Sequence, residues 1–251
     1  MAGRTFAIGD IHGDTAHLYR LMSCLPALDD QDTLVFLGDY VDRGPESSKV
    51  VDYVRNLDDQ TPARIVALRG NHEDAWLRVV DAGGWDDFVG PPGNGCLAAY
   101  RSYMGGAFPN DGELPKPHEQ QALRSGKFFP ADVVEWFRGL PYWYEDAHAI
   151  YVHAGLPRNP AGGFLHPSQV TAPIALLWLR DEHFFRSYRG KLVVFGHTRT
   201  EYLPPELSGY TPEDPMDLWA GENVCGIDTG CGNGGFLTAL ELPALNVYES
   251  R

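Results

Sequence analysis

Basic residues are in short supply. The 251-residue chain carries 20 Lys and Arg against 34 Asp and Glu, a net charge of −14. That balance argues against nucleic-acid backbones as partners. No stretch of eighteen apolar residues occurs, so no membrane contact is expected. The first apolar run begins by residue 4, which leaves no room for a charged and apolar leader. The expectation is a soluble, untargeted, cytoplasmic protein. Cysteine is scarce too. Cys24, Cys96, Cys225 and Cys231 show no CxxC spacing and read as reduced thiols rather than a disulfide framework, with Cys225 and Cys231 the pair close enough to watch. No CxxxxxR loop is present, since Arg101 stands one residue too near Cys96 and the other cysteines have no Arg at that spacing. That disfavours a thiolate nucleophile. Linkers and repeats are also lacking. With 43% hydrophobic residues the chain can bury a sizeable core, and one domain over 1–251 is expected.

What is present is concentrated in five short segments: GDIHG from Gly9, GDYVDRG from Gly38, GNHE from Gly70, HAG from His153 and GHT from Gly196. Together they supply Asp10, His12, Asp39, Asn71, His153 and His197, an oxygen and imidazole set large enough for two divalent metals. Two metals about 3.5–4 Å apart are the usual apparatus for in-line displacement at phosphorus. Each segment follows an apolar run: Arg4 to Ile8, Thr33 to Leu37, Arg64 to Leu68, Ala149 to Val152, and Lys191 to Phe195. Such runs, bounded by turn residues, read as buried strands. The ligands then fall at strand C-terminal ends, where open α/β sheets place their sites.

Twenty-four residues separate GDIHG from GDYVDRG and twenty-five separate GDYVDRG from GNHE, room each time for a helix and a returning strand. Leu18, Leu21, Met22 and Leu25 keep helical spacing in the first gap, and Val50, Val51, Val54 and Leu57 in the second. The fold class is therefore α/β, β-α-β-α-β at its start, with right-handed crossovers. Residues 82 to about 129 are rich in Gly and Pro and exceed an ordinary connection, with helix expected at Leu97 to Tyr103 and His118 to Arg124. This insertion, taken as about 83–129, and an acidic Pro-rich loop at about 201–222 are expected to lie over the metal site. The insertion's aromatics Trp85, Phe88, Tyr100, Tyr103 and Phe108 would wall the substrate entrance.

From Gly9 to about Leu242 the five segments, in this order, resemble the signature of the metallophosphoesterases, and more narrowly of their phosphoprotein phosphatase branch. The resemblance implies a layered fold of central β-sheets flanked by helices. It implies that Asp10 and His12 bind a first metal, that Asp39 bridges both, and that Asn71, His153 and His197 complete the second. Manganese is the first expectation for both positions, with iron or zinc as alternatives. It further implies that His72 is the general acid for the leaving oxygen and that Asp42 holds its other ring nitrogen. Arg43, in the DRG turn, has forked donors suited to phosphate. Arg180 follows Leu177-Trp178-Leu179, where phage-type members carry a phosphate-binding Arg. Asn71 is counted with these two as a substrate contact. Glu73 reads as a partner of a helix N-terminus. His17, His118, His148, His166 and His183 lack motif context and read as structural, with His183 the exception to watch because it lies three residues past Arg180.

The DRG triplet supports phosphorylated proteins or peptides as substrates, serine and threonine first and tyrosine as well, because related tetraphosphatases carry a different residue at the position of Asp42. The stretch from Gly226 to Gly235 resembles bacterial and phage phosphatases and the tetraphosphatases alike. The alternative is thus a symmetrical diadenosine tetraphosphate hydrolase or another small phosphoester or phosphoanhydride hydrolase. An inactive metal-binding scaffold is a third reading, and the intact set of ligands, His72 and arginines counts against it. Oligomeric state leaves no mark in the sequence.

Overall fold

The apolar runs form strands because their β-branched and aromatic side chains can be buried on both faces of a sheet. The structure, a computed structural model, describes residues 3–210 and 214–251. Strands β1 (Thr5–Ile8), β2 (Thr33–Phe36) and β3 (Arg64–Ala67) lie parallel and in register, Thr5 beside Thr33 and Thr33 beside Arg64. Parallel neighbours need a crossover. Helices α1 (Thr15–Cys24) and α2 (Ser47–Arg55) supply it. The Asp14 carboxylate caps α1 by accepting the His17 N–H at 3.0 Å. Leu18 and Leu21, with Val50, Val51 and Val54, form the buried stripes of these helices, as their spacing predicts.

Helix α3 (Asn71–Ala82) follows β3 directly and leads into the insertion. There the chain is more helical than its glycines and prolines suggest. It holds α4 (Asp86–Val89), α5 (Cys96–Met104) and α6 (Pro117–Ser125), and α7 (Ala131–Gly139) comes after it. The second half builds β4 (Trp143–Glu145), β5 (Ile150–Val152), the short helices α8 (Ala175–Trp178) and α9 (Glu182–Ser187), β6 (Val193–Phe195), β7 (Trp219–Ala220) and β8 (Val224–Gly226). It ends in β9 (Thr238–Leu242) and β10 (Asn246–Glu249). One sheet runs β10-β9-β1-β2-β3, and the other β4-β5-β6-β8-β7 with a parallel centre of β5, β6 and β8. Part of the acidic loop, including Pro212, lies outside the described residues. The rest holds 3-10 turns at Thr200–Tyr202 and Pro205–Leu207 and the strand β7.

Side chains alternate across the strands and sort into layers. Ala7, Val35, Leu37 and Leu68 from the first sheet meet Tyr151, Val194, Cys225 and Ile227 from the second. Phe6, Ile8 and Phe36 point the other way, into a core with Leu18, Val50 and Trp76. On the far face of the second sheet, Val152 and Phe195 pack on Phe184 and Phe185. The layering is helix, sheet, sheet, helix. Of the insertion's aromatics, Tyr100 and Tyr103 do not wall an entrance. They pack edge-on against Phe128 and Phe129 and so hold the insertion to the core. No described helix is long and apolar enough to cross a membrane.

Candidate metal centre

The parallel strands of both sheets end at one edge, and the loops that leave them converge there. Asp10, His12, Asp39, Asn71, His72, His153 and His197 are all buried at this edge. Close approach explains the motif glycines. A Cβ on Gly70 would fall 2.1 Å from the Asp39 Oδ1, and one on Gly196 would fall 2.0 Å from the Asp10 Oδ1.

Two of the imidazoles, His12 and His153, are aimed by backbone carbonyls. His12 Nδ1 donates to the Val41 carbonyl at 2.9 Å, and His153 Nδ1 donates to the Leu37 carbonyl at 2.9 Å. Both Nε2 lone pairs therefore face inward. The two oxygens of Asp39 face different ways. Oδ2 lies 3.4 Å from His12 Nε2 and 3.9 Å from His72 Nε2, and Oδ1 lies 3.5 Å from His153 Nε2. Asn71 begins α3 but does not cap it; its Oδ1 lies 2.8 Å from His153 Nε2 and 2.9 Å from His197 Nδ1. His197 Nε2 is buried without a hydrogen-bond partner. Ligand atoms gather within 4.8 Å of one another in two groups, His12 with Asp39 and His72, and Asp10 with Asp39 and His153. Inward lone pairs, an orphaned imidazole nitrogen and a carboxylate shared between two groups fit a pair of cations.

The electrostatics agree. Burial, then the carboxylates of Asp228 and Asp39, push Asp10 well above the usual carboxylate range. Burial and the nearby Arg43 lower His12, and burial likewise lowers His153 and His197, so the three rings are held neutral. Burial would raise Asp39 as well, but His153, His72 and His12 surround it and hold it low.

His72 is fixed from behind. Its Nδ1 lies 2.6 Å from Asp42 Oδ2, and the Trp76 indole N–H donates to both Asp42 oxygens at 2.9 and 3.1 Å. Burial alone would lower the pKa of His72; Asp39 and Asp42 outweigh it, and the net shift is upward. Glu73 does more than meet a helix N-terminus. Its buried carboxylate accepts the N–H groups of Gly70 at 2.9 Å, Asp39 at 3.0 Å and Tyr40 at 2.8 Å, which pins the turn after β2 to α3.

The two arginines flank the centre. Arg43 places its guanidinium inside it, 2.5 Å from His12 Nε2 and 3.5 Å from His72 Nε2. A positive charge thus sits where the ligand atoms converge. Arg180 is exposed and close enough to His197 for its charge to help lower that ring. The adjacent acids are not its partners, because Asp181 pairs with Arg158 and Glu182 with Arg186. His183 stacks on Phe164 and bonds Ser187 rather than any of the candidate ligands. His17, His148 and His166 bond Ser250, the Gly3 carbonyl and Glu145. The structure adds two residues that the motifs do not name. Trp76 has no sequence signal for its role. Asp228 has one, since it closes the apolar run from Val224 to Ile227 just as the ligands close theirs.

A family sequence model described as calcineurin-like phosphoesterase matches residues 3–220. The chain is 29% identical over 273 aligned positions to the asymmetrical bis(5'-nucleosyl)-tetraphosphatase PrpE of Geobacillus thermodenitrificans, covering 96% of this chain and 91% of that protein. A stretch of 75 residues is 46% identical to the serine/threonine-protein phosphatase SIT4 of Candida albicans, covering 29% of this chain and 24% of that protein. Among solved structures, the cold-active protein-tyrosine phosphatase of a Shewanella species superposes with a TM-score of 0.60 at 16% identity, over 99% of this chain and 78% of that one. At that identity the likeness speaks for the fold alone.

Proposed function

Since the chain belongs to the calcineurin-like phosphoesterase family and is a metallophosphoesterase, we propose that it removes phosphate from phosphoserine and phosphothreonine in proteins or peptides, and from phosphotyrosine as well. The observation that carries this reading is the buried pair of His72 and Asp42, with Nδ1 2.6 Å from Oδ2 and the other ring nitrogen facing the ligand cluster. A serine or threonine alkoxide is a poor leaving group and needs a proton in the transition state. A nucleotide leaving from an anhydride is a weak base and gains little from one.

In this reading Asp10, His12 and Asp39 hold one cation, and Asp39, Asn71, His153 and His197 hold the other, with manganese preferred over iron or zinc. When bound, the pair activates water and offsets the charge of the phosphoryl oxygens. His72 gives its Nε2 proton to the departing oxygen, Asp42 keeps the ring turned for that transfer, and Trp76 keeps Asp42 in place. In this reading Arg43 turns from His12 to the phosphoryl group, and Arg180 and Asn71 are its other partners. Among the described residues, no side chain offers a better nucleophile. Cys96, near Arg43, is buried, and burial pushes its thiol far above the range in which it ionises. We treat 1–251 as a single catalytic domain acting in the cytoplasm, where its four free cysteines stay reduced.

A second reading is hydrolysis of dinucleoside tetraphosphates. The near full-length similarity to PrpE favours it, and that relative is named as asymmetrical, where the sequence suggested a symmetrical enzyme. Phosphoserine, phosphothreonine and phosphotyrosine peptides compared with diadenosine tetraphosphate, all with Mn²⁺, separate the two. The peptides are expected to be the faster substrates. A dinucleotide turned over far faster than any peptide overturns the substrate class and leaves the metal chemistry standing.

A further inference from the structure

Asp228 follows β8 and is 1% exposed. Its Oδ1 accepts the Gly230 N–H at 3.1 Å, and its backbone carbonyl accepts the Thr200 N–H at 2.9 Å. Its Oδ2 is buried and has no hydrogen-bond partner. A carboxylate oxygen so placed is strongly unfavourable unless a positive charge or a donor meets it. What stands nearby is a second buried acid. Of the charged groups around Asp10, Asp228 acts on it most strongly, ahead of Asp39. Asp10 already takes the His197 N–H, on Oδ2 at 3.0 Å and on Oδ1 at 3.3 Å. The cation that both acids face here is the Arg43 guanidinium, which acts on each of them.

We propose that Asp228 is a carboxylate partner of the cation held by Asp10, His12 and Asp39, an assignment that rests on the dinuclear reading above. The topology gives it a purpose. His153 and His197 follow β5 and β6 of the second sheet and serve the second cation position. The first position would otherwise draw only on loops of the first sheet. Asp228, at the end of β8, brings the second sheet to the first cation, so each ion ties both halves of the sandwich together. Asp228 does not fall within the 4.8 Å ligand groups. It therefore acts as an outer charge partner, a class whose loss weakens metal affinity about 10–100-fold.

The test is titration of the chelator-treated full chain with Mn²⁺ by calorimetry, with metal content per chain counted and melting followed with and without metal. Wild type is expected to take two Mn²⁺. Asp228→Asn keeps an acceptor for the Gly230 N–H but loses the charge. It is expected to weaken one of the two sites about 10–100-fold, to leave the other unchanged, and to melt higher than wild type without metal. Asp228→Ser, with a smaller side chain, repeats the test if the Asn variant does not fold. Wild-type affinity at both sites in these variants, with a lower metal-free melting temperature, marks a residue that only holds its turn and overturns the proposal. A wild-type chain that binds no Mn²⁺ overturns the dinuclear reading and this assignment with it.

Discussion

His12, Asp39, Asp42, Arg43 and His197 adopt φ of 48°, 55°, 71°, 65° and 63°. Only Leu245 joins them among the described residues other than glycine. In that region the Cβ crowds the backbone, at roughly 1–3 kcal/mol per residue. Burying a large apolar side chain contributes about 1.5–3 kcal/mol, so the sandwich core can offset five such residues. All five are polar, and all lie in the loops that follow β1, β2 and β6. His72 needs no such strain, because α3 positions it and Asp42 holds it. His72→Asn is therefore expected to fold and to keep its metal. Its kcat on a phosphoserine peptide should fall about 10²–10⁴-fold, the usual weight of a general acid. The loss should shrink for p-nitrophenyl phosphate, whose leaving group needs no proton. Metal analysis of the purified variant is the check, because His72 groups with His12 and Asp39 as a possible ligand, its Nε2 3.9 Å from Asp39 Oδ2. A missing metal would make His72 a ligand instead.

Elements carry the next level of control. The insertion meets the site at Gly95, whose carbonyl accepts the Arg43 N–H at 3.3 Å. Arg101 braces the insertion from within. It donates to Glu119 at 2.9 Å and Glu113 at 2.5 Å, and to the Ala107 carbonyl at 3.3 Å. These bonds hold Glu113 down at about 2 and also lower Glu119, each from an ordinary 4.5. A depressed carboxylate gives stability that is present above its unfolded value and lost as pH falls through the folded one. Arg101→Ala is thus expected to lower the melting temperature at pH 7 by about 5 °C. The deficit should narrow below pH 4, and a scan of melting temperature against pH reads both effects. A pH-independent deficit would assign Arg101 a packing role only. The sequence announces much at this scale. The parallel strands, α1, α2, α5 and α6 follow from spacing, and each candidate ligand follows from an apolar run that stops. What is hidden depends on approach in space. Tyr100 and Tyr103 look like entrance walls, but they face inward onto Phe128 and Phe129. The bond from Trp76 to Asp42 joins residues 34 apart. Asp228 obeys the same rule as the ligands and is easily passed over, because its segment reads first as a clue to substrate.

Across the whole molecule, the two sheets meet at an edge crowded with buried acids in a chain of net charge −14. Asp10 is raised by burial and then by Asp228 and Asp39, Asp228 is raised by burial and by Asp39, and Glu73 is pushed up to about 8 by burial and by Asp39. A carboxylate raised in the folded state gives stability that is present below its unfolded value and lost as pH climbs through the folded one. The metal-free protein should accordingly lose stability between about pH 6.5 and 8, above the range in which unfolded histidines take up protons. Metal binding responds in the opposite direction. Its ligands must be ionised carboxylates and neutral imidazoles, and protons compete with the metal for both. His12, His153 and His197 are lowered and so already neutral near pH 7, which leaves the acids as the last competitors. At a Mn²⁺ concentration of 100 Kd each site adds about 2.7 kcal/mol, on the order of 5–10 °C in a chain of this size. The gap in melting temperature between Mn²⁺-loaded and chelator-treated protein should therefore widen steadily from pH 6 to pH 8. Thermal scans in matched buffers measure it. A gap that stays constant across that range would mean that the buried acids do not hold the cations.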